Sequence, residues 1–359
     1  MELLVTDEQR ALAEAVRAVL RRTEGSRVWE TLCAQVGVAG LAVPEEYGGA
    51  GAGPRELAVV AEELGRELVG GPFLGSAVLA TAAVLAAGDT AAAARLLPGL
   101  AEGRAVAALA WVPEGGRWDP STVACSASEG GVTGTAHYVP DGDRADVLLV
   151  VARDAAGVGL YEVDPAGPAV RRERTATMDE TRPLATVTFT GAPARRLGGG
   201  DVRPALARVR DLACAVLAAE QAGAAAGALE ITVAYTKERE QFGRPIGGFQ
   251  ALKHRMADLY VLTETARSAA LAAADALTRG GTGDAEPVPA RLAAVAKAHC
   301  SEALSTVAAE MIQLHGGIGI TWEHPAHRYL KRAHGSAQLL GQPHEHLARL
   351  RQCAQPRPR

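Results

Sequence analysis

Two short segments carry the side chains best suited to chemistry: Arg239-Glu240-Gln241-Phe242-Gly243-Arg244-Pro245-Ile246 and Gln313-Leu314-His315-Gly316-Gly317-Ile318-Gly319. A guanidinium such as that of Arg239 can fork onto an oxyanion through two charge-assisted bonds, or simply pair with a carboxylate. Gly316-Gly317 can cap a helix or let main chain approach a ligand closely. The glycine-rich stretch follows a helical run rather than a strand, so it does not meet the Rossmann phosphate-loop pattern. Among the 9 histidines, His324-x-x-His327 and His344-x-His346 lie close in sequence. No carboxylate or cysteine pattern accompanies them, so they read as surface or capping residues and no metal centre is expected. The 5 cysteines (Cys33, Cys125, Cys214, Cys300, Cys353) are odd in number and never spaced C-x-x-C. That pattern reads as reduced thiols in a cytosolic protein.

Three stretches of different texture must position these groups: residues 1–104, 105–200 and 201–359. The first reads as helical. Thr6 and Gln9 have capping-box spacing, and Leu12, Val16, Val19 and Leu20 recur with helical period. A break falls at Val43-Pro44-Glu45-Glu46-Tyr47-Gly48-Gly49, after which helical texture resumes over Glu56 to Leu68 and Ser76 to Leu97. In the second stretch, runs such as Val147 to Val151 and Ala185 to Phe189 are bounded by Gly, Pro and Asp. This is the spacing of a small antiparallel barrel or sandwich. The third stretch is helical again. Phe249 to Arg279 places Leu252, Met256, Leu259, Leu262, Ala266 and Ala270 on one face, and a loop from Gly280 to Pro289 leads to a run from Arg291 to Leu314. These two long helices are the expected core and oligomer interface.

Composition narrows the function classes. The chain has 359 residues and a formal net charge of −4, with no long Lys/Arg block, so nucleic acid is not an expected partner. The N-terminus lacks the basic and apolar regions of a signal peptide. Arg, Glu or Asp interrupts the Ala-rich runs, so no membrane span is expected and the chain reads as cytoplasmic. The helix from Phe249 reads as a bundle helix rather than a membrane binder.

With this order and the two opening motifs, the chain resembles the acyl-CoA dehydrogenases along nearly its whole length. Thr6-Asp7-Glu8-Gln9, Gly40-Leu41-Ala42-Val43-Pro44-Glu45-Glu46-Tyr47-Gly48-Gly49 and Met178-x-x-Thr181-Arg182 add to the match. The resemblance implies a mainly α, α+β fold: an N-terminal helical domain, a central β-barrel and a C-terminal four-helix bundle, usually tetrameric. It implies FAD as cofactor, an acyl-CoA substrate and an electron-transfer flavoprotein as electron acceptor. It further implies that Arg239, Phe242, Gln313, Gly316 and Gly317 reach FAD bound mainly by a neighbouring subunit. Arg239 would meet the pyrophosphate, Phe242 would form an apolar lid, and Gln313 would bond a ribose or phosphate oxygen.

The departures from the family are as informative. Its chemistry takes a proton from the carbon alpha to the thioester, with a carboxylate as base, while the flavin accepts a hydride. The family's usual Glu, just before a Gly, falls here at Leu340-Gly341. The alternative position on the first bundle helix falls at Ala213, and a substrate-facing Arg of that helix is replaced by Cys214. The barrel segment whose hydroxyls touch the flavin ring becomes Trp111-Val112-Pro113-Glu114-Gly115-Gly116-Arg117-Trp118-Asp119. A second, threonine-bearing segment becomes Tyr138-Val139-Pro140-Asp141-Gly142, where Pro140 has no N–H to donate. Trp118 reads as a packing residue rather than a flavin stacker.

Groups offered to a subunit's own flavin are thus replaced, while those offered to a neighbour's FAD remain. The catalytic residue of this chain is therefore unknown. The leading expectation is the base-lacking subunit of a heterotetramer, completed by a homologous catalytic subunit, of the kind found in bacterial steroid side-chain degradation. Two alternatives stay open. One is a homo-oligomeric oxidoreductase using Asp211, Asp119 or Asp141 as base. The other is a flavin-free acyl-CoA- or carrier-binding protein.

Overall fold

The computed structural model describes residues 5–25, 27–116, 118–280 and 287–354. Most of the expected Gly280–Pro289 loop, together with Arg117, lies outside them. The chain divides into two compact units: Asp7–Leu57 with Gly70–Ala213, and Ala58–Val69 with the chain from Cys214 onward.

The first unit opens with helices α1 (Asp7–Leu20) and α2 (Arg27–Val36), and α3 (Pro54–Arg66) begins within it. Gln9 is buried on α1, and its amide donates to the Glu56 carboxylate at 2.7 Å. Glu56 also accepts from Gly53 N at 3.0 Å, satisfying one of the amides that every helix start leaves unpaired. The helix expected over Ser76 to Leu97 is divided. A π-helical turn spans Phe73–Ala80, followed by α4 (Thr81–Ala86) and α5 (Thr90–Ala101). The reason lies in Gly88-Asp89. Gly88 takes a left-handed φ of 67°, and the Asp89 carboxylate caps α5 by accepting from Ala92 N at 2.9 Å.

The strands are β1 (Ala107–Ala110), β2 (Cys125–Ser128), β3 (Gly131–Pro140), β4 (Val147–Asp154), β5 (Gly157–Val163), β6 (Val170–Arg174), β7 (Leu184–Ala192) and β8 (Ala194–Leu197). They form one sheet ordered β6-β7-β3-β2-β4-β5-β8, with β1 also on β4. The sheet is mixed rather than purely antiparallel. β1 and β2 pair in parallel with successive halves of β4, matching Ala107 to Val147 and Cys125 to Ala152. A strand so enclosed is buried on both faces, which explains why β4 is a continuous apolar run instead of an alternating one. Its residues Leu148 to Ala152 are all buried, and Val132, Val187 and Phe189 join them in the core.

The second unit is built on α6 (Arg203–Glu238), α7 (Gln250–Arg279), α8 (Pro287–His315), α9 (Ala326–Gln338) and α10 (Pro343–Ala354). From Cys214 onward α6 belongs to it. Leu304, Val307, Met311, Leu259, Ala224 and Ala228 share its core. Glycines let α3 and α6 approach closely: a Cβ on Gly223 would sit 1.8 Å from Glu62 O, and one on Gly65 would sit 2.0 Å from Glu220 O. Charges are buried alongside. Arg332 donates to the Glu220 carboxylate at 2.6 Å and to the main-chain oxygens of Leu68 and Val69 at 3.3 Å each. Contrary to the expectation from interrupting charges, α6 is long and apolar enough to cross a membrane by composition. However, 89% of its most apolar window is buried inside the protein, where a bundle's core helix belongs.

Candidate functional site

Arg239 follows the last turn of α6, its amide donating to Tyr235 O at 2.9 Å. The chain then makes a two-stranded hairpin, β9 (Glu240–Gln241) with β10 (Arg244–Pro245), in which Gln241 faces Arg244. Phe242 and Gly243 form its turn with φ of 51° and 75°. Positive φ at both central residues is the geometry of a type I′ hairpin, which Asn and Gly fill easily and a bulky side chain does not. Phe242 nevertheless holds it with 92% of its surface exposed. Its ring meets Phe249 edge-on at 6.1 Å, and the Arg244 guanidinium covers Phe249 at 4.1 Å. An apolar side chain presented so openly on a strained turn marks a place of function rather than of stability. Arg239 is exposed, and among the described residues its guanidinium has no ion pair.

Gln313 is exposed near the end of α8, and Gly316 and Gly317 are exposed in the 3-10 turn Gly316–Ile320 that follows. Gly316 needs glycine for its φ of 60°. Gly317 does not, and a Cβ on either residue would meet open space. The chain's own packing therefore does not explain Gly317, whereas close approach from outside does. The two motifs meet through residues just ahead of them. The Tyr235 ring stacks on His315 at 4.3 Å, and its hydroxyl donates to His315 O at 3.3 Å.

Both family base positions are apolar and buried: Ala213 is 0% exposed and Leu340 1%. Leu340 adopts a left-handed φ of 62°. Its main-chain oxygen accepts from His346 Nε2 at 3.1 Å, and the neighbouring Gly341 O accepts from the buried Lys297 at 3.2 Å. Lys297 also reaches Ser301 Oγ at 3.0 Å. Sequence reasoning passed over Tyr235, Lys297 and Arg332. The available signal was a lone cation within an apolar helical run, which must find acceptors once buried.

The three alternative acids are all engaged. Asp119 caps its own turn, accepting from Ser121 N and Oγ at 2.8 Å each. The buried Asp211 takes Arg210 Nε at 3.2 Å, and that guanidinium also donates to Trp118 O at 3.4 Å. Asp141 is buried against Gly75 and ion-paired with Arg144. Burial raises its pKa, and the Arg144 charge opposes that rise. Among the described residues no three His, Cys, Asp or Glu side chains converge as metal ligands. His327 Nδ1 instead donates to His324 O at 2.9 Å, and His346 ties down Leu340.

The two sets differ when tested against FAD. The Trp111–Asp119 segment carries no hydroxyl. Trp118 is buried, edge-on to the buried Trp111 at 5.7 Å, whose indole N–H donates to Thr122 O at 3.2 Å. The Tyr138 ring closes over Gly116, lying 3.4 Å from where its Cβ would be. These residues form a packed surface and do not fit the flavin-ring contacts that the resemblance implied. Arg239, Gln313 and the open Gly316-Gly317 turn do fit an anionic cofactor presented from outside the chain.

Residues 6–104 match the family of the acyl-CoA dehydrogenase N-terminal domain, and residues 211–346 match that of the acyl-CoA dehydrogenase C-terminal domain. Acyl-CoA dehydrogenase IpdE2 of Mycolicibacterium smegmatis is 42% identical over 346 residues, covering 96% of this chain and 93% of the relative. The IpdE2 of Mycobacterium tuberculosis is 45% identical over 340 residues, covering 94% and 90%. Among solved structures, the Tcur3481-Tcur3483 steroid ACAD G363A variant is 34% identical with a TM-score of 0.84, covering 96% of this chain and 97% of that one. The ChsE4-ChsE5 complex from Mycobacterium tuberculosis is 28% identical with a TM-score of 0.87, covering 99% and 100%. With its fold, its motifs and its full-length relatives in agreement, the chain belongs to the acyl-CoA dehydrogenase family.

Proposed function

We propose that this chain is the base-lacking subunit of a heteromeric, FAD-dependent acyl-CoA dehydrogenase, completing a cofactor site held mainly by a homologous catalytic partner. One contrast carries the reading: Leu340 and Ala213 are buried and apolar, while Arg239, Phe242, Gln313, Gly316 and Gly317 all face outward. The cofactor, when bound, supplies the hydride acceptor. Arg239 then grips its pyrophosphate, Gln313 bonds a ribose or phosphate oxygen, Gly316-Gly317 admit it closely, and Phe242 screens it from water. The named two-protein relatives support a heteromer, and the steroid ACAD among them supports a steroid-derived acyl-CoA as substrate. An electron-transfer flavoprotein is the electron acceptor by family analogy.

Flavin stoichiometry is the deciding experiment. The chain purified alone should hold close to no FAD, and the complex with its homologous partner should hold about one FAD per pair of chains. Near one FAD per chain in the isolated protein, with turnover of acyl-CoA, would reject the proposal in favour of a self-sufficient enzyme.

A further inference from the structure

The turn at Gly316 begins where α8 ends on His315, and the surroundings of that imidazole are unusual. His315 is 3% exposed. Its Nδ1 lies 2.7 Å from Met311 O, an atom that can only accept, so the ring proton sits on Nδ1. Nε2 is then a bare lone pair, buried with no hydrogen-bond partner. One face of the ring stacks on Tyr235 at 4.3 Å and 28°, and His324 lies against the ring at 4.2 Å and 39°. His324 Nδ1 accepts from Ala326 N at 3.2 Å, so its proton is on Nε2. His327 donates to His324 O, and its own Nε2 is also buried without a partner. His327 meets Trp322 edge-on at 4.8 Å, and the Lys331 ammonium lies over Trp322 at 4.5 Å.

We propose that His315 is the positioning residue for the Gly316-Gly317 turn, holding it through the Tyr235–His315–His324 ring stack, and that it does so only as the neutral imidazole. The inference rests on the reading of that turn as cofactor-facing. The geometry explains how one ring reaches both motifs. Tyr235 O accepts from Arg239 N, so Tyr235 anchors the start of the arm, while the Gly319 Cβ site lies only 3.1 Å from His315 Cβ. A proton on Nε2 would create a buried donor with no acceptor and a charge beside a second imidazole. The titratable groups facing the stack are Tyr235 from α6 and His324 and His327 from the approach to α9, with Lys331 beyond Trp322. None is a carboxylate that could compensate such a charge.

The direction of the pH effect follows. Burial lowers the pKa of His315, and burial followed by the two neighbouring imidazoles lowers that of His324. Once the joint opens, His315 regains its ordinary value near 6.5. The stack is therefore fully held above that pH and is lost as pH falls through the lower folded value.

Hydrogen-exchange mass spectrometry on the full chain tests this over residues 315–322, at pH 7.5 and 5.5 after correction for intrinsic rates. Protection of this segment should fall at least roughly tenfold at pH 5.5 while the core of α8 stays protected. His315→Phe keeps a stacking ring that cannot titrate and should abolish the pH step, whereas His324→Phe should retain it. A wild-type segment with pH-independent protection overturns the proposal without recourse to any variant. A step that survives His315→Phe, or vanishes only in His324→Phe, also overturns it. FAD release from the complex with the homologous partner should accelerate over the same pH range. Unchanged release alongside the exchange step would leave the positioning role standing and reject the cofactor reading of the turn.

Discussion

The Cys214 thiol donates to the main-chain oxygen of Leu340 at 3.8 Å, so the residue following one family base position lies directly against the other. The segment around Leu340 is thereby packed as core, with its carbonyls tied to Cys214, His346 and Lys297. Installing the missing acid there should consequently fail. Leu340→Glu buries a carboxylate in an apolar site and should cost about 2–5 kcal/mol of stability at pH 7, read from urea unfolding. The isolated chain should stay on the order of 10²–10⁴-fold or more below a base-equipped enzyme. Robust acyl-CoA turnover by the homogeneous wild-type chain, or by the variant, would contradict the base-lacking assignment.

Arg239 offers the most direct probe of the shared cofactor site. Arg239→Ala should weaken FAD retention in the complex by roughly ten- to a hundred-fold, the value of a charge-assisted contact of about 1.5–3 kcal/mol. Arg239→Lys should recover only part, because an ammonium lacks the planar fork. FAD dissociation and native complex mass, measured on the same variant, check this. An intact complex with unaltered FAD affinity would make Arg239 a structural residue.

The buried Arg332–Glu220 pair holds α9 to α6 and to the main chain after α3. Arg332→Met should destabilise by about 3–5 kcal/mol, since it strands the Glu220 carboxylate. Adding Glu220→Leu should recover a substantial part of that loss. A double-mutant cycle in urea that returned simple additivity would show that the two charges are not coupled.

The buried thiols should be inert. Burial raises Cys300 and Cys125 to about 12 and the half-buried Cys33 to about 11, from an ordinary 9.0. At pH 8 the thiolate population of Cys300 is then lower by about a thousandfold than in the unfolded chain. Peptide-mapped iodoacetamide labelling should find Cys33, Cys125 and Cys300 protected in buffer and modified in urea. Linkage fixes the sign of the stability effect. The native state keeps its protons while the unfolded chain loses them, so this contribution is complete below pH 9 and declines as pH rises toward the folded values. Equal labelling rates in buffer and urea would contradict the burial.

The amino-acid sequence by itself was sufficient for the order of helices, strands and bundle, because periodicity, caps and breakers are local signals. It also located Arg239, Gln313 and Gly316-Gly317, and the apolar residues at 213 and 340, through short motifs that need no partner to be recognised. Only the tertiary structure decided the parallel pairing of β1 and β2 with β4, since pairing direction depends on which strands enclose the partner. The same holds for the division of the Ser76–Leu97 run, where Gly88 and Asp89 outweighed a continuous helical pattern. Trp118 could have stacked on a ligand or filled a core, and its burial against Trp111 settled that in favour of packing. The stack of Tyr235, His315 and His324 was invisible in one dimension. Tyr235 and His315 lie on different helices, and an imidazole's burial, tautomer and missing partner exist only once distant segments have closed around it.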